Sequence, residues 1–212
     1  MGGLASFDVT FIEAGENTFP TASTNTSAVV KTKADSALDT IKTVFSNNFS
    51  VTKQPEFIST EANTILSDIS NQLSSRITRF PTIPATTTAW LSDANELSTN
   101  ASALIVQPST LANKVTGLFT DVANLYASPV NALEVYRRFF DYGSTLPNVP
   151  ATTLIREQQL QNQQALTQLV EQTALIESAR HASDIEYDSF NDVVGVRDEI
   201  DEQLGQQMFN VD

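Results

Sequence analysis

The sequence has no cysteine, a single histidine, a single tryptophan and seven glycines in 212 residues. Each scarcity removes a class of chemistry. Without cysteine there is no disulfide, no thiol nucleophile and no thiolate metal site. The lone histidine, His181, lies between Arg180 and Ala182. A catalytic base needs a nucleophile or substrate within hydrogen-bond reach and a third group to orient it, and no residue at a fixed spacing supplies these, so His181 reads as a helical surface residue. Few glycines leave little for phosphate-cradling loops, and no Gly-x-Gly-x-x-Gly, Walker-type or Gly-x-Ser-x-Gly motif is present. Positive charge is also short: 12 basic residues against 25 acidic ones give a formal charge of −13, which opposes broad attraction to phosphate. No apolar run approaches the roughly eighteen residues of a membrane span, and the start Met1-Gly2-Gly3-Leu4 is too short and too neutral for a signal peptide. A soluble, non-catalytic protein without cofactor or bound metal is expected.

What remains is enough for a core. Hydrophobic residues make up 41 %, and the aromatics are mostly phenylalanine, which favours packing over disorder. Phe7 to Glu13 alternates apolar and polar residues like a half-buried strand and stops at Ala14-Gly15. One strand has no stability alone, so this segment reads as the last strand of a β-rich domain lying upstream in a longer parent protein. A polar linker follows Pro20, and from Ser27 onward the chain reads as helices punctuated by proline. The apolar spacing predicts helices over Ser27–Phe45, with Val30, Ala34, Ala37, Leu38, Ile41, Val44 and Phe45 at helical spacing, and over Pro55–Arg79, with Phe57, Ile58, Ala62, Ile65, Leu66, Ile69, Leu73 and Ile77 on one face. Phe80 to Thr88, interrupted by Pro81 and Pro84, reads as an extended linker before a short helix over Ala89–Asn100. Further helices are predicted from Pro108 to Tyr126 and from Ser128 to Tyr142, the latter capped by Gly143.

From Thr152 to Ala182 a Gln-rich stretch without Gly or Pro predicts one long helix, and a second helical stretch follows from Asp188. The pair suggests an antiparallel hairpin or an extended coiled arm. Residues 171–212 hold eleven acidic residues and only Arg180 and Arg197 as basic ones, so the arm carries most of the net charge. The expected organisation is therefore a junction strand (1–20), a proline-punctuated helical domain (21–150) and a long acidic helical arm (151–212), mainly α overall.

Two clusters deserve weighing as sites. Asp184, Glu186 and Asp188, with His181 nearby, could be taken for the carboxylate set of a metal-dependent hydrolase. A calcium loop starting at Asp184 requires glycine in its sixth place and a bidentate carboxylate in its twelfth, and these hold Ser189 and Gly195. Arg137 and Arg138, beside Tyr136, Phe139, Phe140 and Tyr142, interleave basic and aromatic residues as nucleic-acid binders do. At helical spacing the aromatics read as core and the arginines as snorkelling to solvent. Arg76 and Arg79 form a second, weaker pair. These four arginines are the candidate contacts for a partner or nucleic acid.

The string Phe7-Asp-Val-Thr-Phe-Ile-Glu-Ala-Gly-Glu-Asn-Thr-Phe-Pro20, with Thr21-Ala-Ser-Thr24 after it, resembles the junction in the DNA circularisation proteins of Mu-like tailed phages, where a β-rich N-terminal domain passes into an Ala-, Asp- and Thr-rich helical region. The helix near Ser27, the phrase Phe49-Ser50-Val51 and the late acidic helices are similar as well. The resemblance implies a virion protein of the tail or baseplate, present in host cytoplasm during assembly. It also implies a role for the full-length protein in holding the ends of the injected genome together without covalent joining, with other tail proteins, copies of itself and genomic DNA as partners. At −13, this region is expected to serve protein contacts and to leave DNA to another region. The alternative reading is a helical protein-binding module of a bacterial surface or secretion system.

Overall fold

A computed structural model describes residues 26–77, 82–126, 128–185 and 190–209. They form helices joined by short turns, with no strand among the described residues. The expected strand Phe7–Glu13 and the polar linker after Pro20 lie outside them. The order is α1 (Thr26–Asn48), α2 (Glu56–Ile77), α3 (Pro84–Thr99), the single turn α4 (Ala101–Leu104), α5 (Pro108–Val122), α6 (Pro129–Arg137), α7 (Leu154–Ala182) and α8 (Phe190–Phe209). Short 3₁₀ turns follow α5 and α6, at Ala123–Leu125 and Tyr142–Thr145.

The bundle is built around α7, which packs against α1, α2, α5, α6 and α8 and against the turn at 142–145. The segment expected to stand out as an arm thus supplies, in α7, the middle of the bundle. Its residues say why. Ala165, Leu166, Leu169, Val170, Ala174 and Leu175 are all buried and point to more than one side of the helix. An apolar surface that wide needs cover on several faces. α1 and α5 cover one side, with α3 behind α5 and α2 beside α3. α8 lies against α7 with Val196 and Ile200 packed on the core, and Arg137 at the end of α6 holds it through Glu199, at 2.6 Å.

A single continuous core runs through these layers. Phe45 stacks on Phe49, their ring centres 5.0 Å apart, which turns the chain from α1 into the connector before α2. Phe119 meets Phe139 edge to face at 5.1 Å, joining α5 to the end of α6. Trp90 buries its ring and donates its indole N–H to the Leu118 carbonyl at 2.9 Å, and the Tyr136 hydroxyl donates to the Phe119 carbonyl at 3.0 Å. Aromatic residues with a polar tip need such partners once buried.

Further expectations are corrected. Val44 and Phe57, placed with the apolar residues of their helices, are 44 % and 41 % exposed. Residues 84–88, read as linker, are the first turns of α3: Pro84 occupies the first helical position, where its missing N–H costs nothing, and Thr86 and Thr87 donate their hydroxyls to the Ile83 carbonyl. The α6 helix ends at Arg137, before the expected Tyr142, and Gly143 lies within the following 3₁₀ turn without a positive φ. Gly143 is there because the chain presses on α7: a Cβ at this position would overlap the Thr167 methyl group. The many Ser and Thr residues are accommodated in helices by returning their hydroxyls to the carbonyl four residues earlier, as along α1 at Thr32, Ser36, Thr40, Thr43 and Ser46.

If α7 is the centre of the core, Leu166→Ala, at a fully buried site, lowers unfolding free energy by about 2–5 kcal/mol. Leu154→Ala, at a site 82 % exposed on the same helix, changes it by less than about 0.5 kcal/mol. Urea denaturation of both variants gives the comparison.

Candidate functional site

Alongside its apolar faces, α7 buries Gln159, Asn162, Gln163, Thr173, Glu177 and Ser178. A buried polar group without a partner costs about 1–3 kcal/mol, so each needs one. The longer side chains among them reach out to different neighbours. Gln159 donates its amide to Glu61 on α2 and accepts from Arg156. Asn162 clasps the connector after α1, accepting the Ser50 N–H at 2.9 Å and donating to the Ser50 carbonyl at 2.8 Å. Gln163 donates to the Pro147 carbonyl at 2.8 Å. The half-buried Glu171 accepts the Gly143 N–H at 2.8 Å. Glu177 accepts the Thr120 hydroxyl of α5 at 2.7 Å and pairs with Arg180 at 3.5 Å, and Arg180 in turn pairs with Asp35 on α1. α7 is thus stitched to its surroundings by a ladder of amides and carboxylates.

Between α7 and the chain segment that follows α6 lies an open groove of about 400 Å³, lined chiefly by Gly143, Leu146, Pro147, Gln164, Gln168 and Glu171. A second groove of about 300 Å³ lies on the α2 side of the same segment, lined by Glu61, Asp68, Leu146, Pro147 and Gln163 among others. Asp68 accepts the Tyr142 hydroxyl at 2.9 Å, and burial together with this carboxylate raises the phenol's pKa well above its ordinary value. Burial pushes the Glu171 carboxyl up to about 7, with the Gly143 N–H opposing that rise and the Asp141 charge adding to it. Glu177 is raised as well, chiefly by burial.

The residues singled out in the sequence fall elsewhere. Tyr136, Phe139, Phe140 and Tyr142 are core, as their spacing suggested. Arg137 is bound to both Glu134 and Glu199, and Arg138 beside it is exposed. Arg76 lies over the Phe139 ring, 5.8 Å from its centre, so the two arginine-bearing segments do meet, through an aromatic core residue. Arg79 lies outside the described residues. Asp184 accepts the Ser27 hydroxyl and pairs with Lys31, each at 2.8 Å, and Lys31 with Ser27 holds its carboxyl below the ordinary value. It therefore ties the end of α7 to the start of α1. Glu186 and Asp188 lie outside the described residues, and no three metal-ligating side chains converge among those that are described. Nor, among the described residues, is any helix long and apolar enough to cross a membrane.

Sequence reading missed Gln159, Asn162, Gln163, Glu171 and Gly143. The available signal was the interleaving of Gln and Asn with Leu and Ala in a helix lacking Gly and Pro, a pattern that fits a helix buried on several sides as well as it fits an exposed arm. Compared with known proteins, the chain matches no family model, no curated protein and no solved structure.

Asn162→Ala removes both bonds to Ser50 and leaves that peptide group wanting partners, so it is expected to cost about 2–3 kcal/mol in urea unfolding. The raised carboxyls set a pH dependence. Between pH 4.5 and about 7 the folded protein keeps a proton on Glu171 that the unfolded chain has lost, so stability declines as pH rises through that window. The urea midpoint is expected to be higher at pH 5.5 than at pH 8, and Glu171→Gln is expected to narrow the gap.

Proposed function

We propose that this chain is a non-enzymatic structural region of a phage tail or baseplate protein of the DNA circularisation type, working through contacts with other tail proteins or with copies of itself. The observation that carries the non-enzymatic part is where the chemically capable side chains are spent. Glu171, Glu177, Asp184, Arg137 and Arg180 each join one helix or turn to another, as a scaffold requires. The tail assignment rests on the Phe7-to-Pro20 junction motif and the helical region after it.

The charge argues for protein over nucleic acid as this region's partner. Clustered Lys and Arg are needed to displace counterions from DNA, and here the net charge is −13 with Arg137 already held by two carboxylates. In the full-length protein another region is expected to meet the genome. Apolar side chains left in solvent at the starts of α2 and α7, Phe57, Leu154 and Ile155, suit a protein contact.

An affinity-tagged copy expressed from the native locus tests the reading. The protein is expected in purified phage particles by mass spectrometry, and residues 26–212 alone are expected to give no gel shift with duplex DNA at low salt. Absence from particles, with recovery in a surface or secreted fraction, would overturn the tail assignment in favour of a bacterial binding module.

A further inference from the structure

α2 and α7 begin side by side. The Arg156 guanidinium lies 4.9 Å from the centre of the Phe57 ring, and Gln159 bonds to Glu61 about one turn further along both helices. At this shared end Leu154, Ile155 and Phe57 are 82 %, 44 % and 41 % exposed, whereas the other exposed large apolar residues are valines and an isoleucine distributed over α1, α6 and the turns before α3 and α5. Exposed charges of both signs accompany the three in sequence: Lys53 and Glu56 on the way into α2, Arg156 and Glu157 in the first turn of α7. Among the described residues none of these four pairs with an opposite charge, while Lys31, Lys42, Lys114, Arg137, Arg180 and Arg197 all do. Lys53 also has a φ of 63°, as the third residue of a turn closed by the Gln54 N–H on the Val51 carbonyl at 3.2 Å. Glycine or asparagine suits that place best, so the turn by itself gives no reason for a lysine.

We propose that this end of the molecule is where a second copy of the chain docks about a two-fold axis. Phe57, Leu154 and Ile155 of the two copies pack together, inside a rim where Lys53 and Arg156 of each copy meet Glu56 and Glu157 of the other. The inference rests on the protein-contact reading above and names the partner. Its physical basis is charge. A chain carrying −13 repels its own copies, so self-association needs a face from which that repulsion is absent. Here two positive and two negative side chains sum to zero beside three apolar ones. A two-fold axis sets a face against its own duplicate, and a face carrying both signs can complement itself where one of a single sign cannot. A partner of one sign would gain from one pair of these residues and lose from the other. Apolar anchors within a charged rim are the usual make-up of a protein interface. Arg156 already bonds Gln159 and lies over Phe57, so it is in place before the copies meet and loses little freedom on docking.

Light scattering of the full chain tests this, and a mass twice that of one chain is expected at about 100 µM. Leu154→Asp, on an exposed side chain, should leave the far-ultraviolet circular dichroism unchanged and weaken association at least about a hundredfold. Charge reversal supplies a test specific to a second copy. Lys53→Glu with Arg156→Glu makes the rim acidic throughout, and Glu56→Lys with Glu157→Lys makes it basic. Each of these two proteins alone should be monomeric, and their equal mixture should regain the doubled mass. A wild-type chain that stays monomeric, which leaves the face to residues 1–25 or to a different protein, would overturn the proposal. So would a dimer that persists in Leu154→Asp, or a mixture of the two reversed variants that stays monomeric. Recovery from phage particles is read separately, so the tail assignment and the dimer can each fail alone.

Discussion

A helix in the middle of a bundle has only a narrow outer face on which to leave its polar side chains, and in α7 that face is the stripe through Glu157, Gln161 and Gln164. α7 contacts helices or turns on several sides, and the same helix that supplies Leu166, Leu169 and Val170 to the core also buries two glutamines, an asparagine and a glutamate. Each of these must be given a hydrogen bond or the fold loses what the apolar burial gains. The other elements are positioned so as to provide them. The connector before α2 presents its Ser50 peptide to Asn162, α5 presents Thr120 to Glu177, and the segment 143–147 presents a carbonyl to Gln163 and an N–H to Glu171.

Such bonds give position more than energy. Apolar contact between helices tolerates sliding and rotation, because one leucine fits several places on a neighbouring surface. An asparagine that both donates to and accepts from one peptide fits one register. The Asn162 clasp thus fixes where the α1–α2 connector meets α7, and the Glu177, Arg180 and Asp35 chain fixes α5 and α1 at the other end. Rigidity of that kind is what the scaffold role proposed above requires.

Beside that outer face runs the segment 142–149, where the half-buried Glu171 carboxyl faces a groove. Here the chain departs from helix, glycine permits the closest backbone approach to α7, and burial moves a titration toward neutral pH. Elsewhere among the described residues hydroxyls fold back onto their own helices, and the apolar Phe57, Leu154 and Ile155 stand exposed.

Much of the helical plan was legible from residues 27–182 alone. Period and proline placement located α1, α2, α5 and α7 to within a few residues, because those signals are local: a proline lacks an N–H wherever it occurs, and an apolar stripe shows which face turns inward. The aromatics around Arg137 were legible as core for the same reason. The first turns of α3 were not, since a proline that ends one helix also starts another, and only the surrounding packing chose. What the sequence by itself determined was that the chain is helical, acidic and poor in the residues of catalysis. Tertiary structure decided that the glutamine-rich helix is the centre and not an arm, that Gly143 is a contact and not a cap, and that Glu171 is half-buried beside it. Those outcomes depend on residues distant in the chain, Ser50, Thr120 and Pro147, arriving beside α7, and no local pattern carries that information.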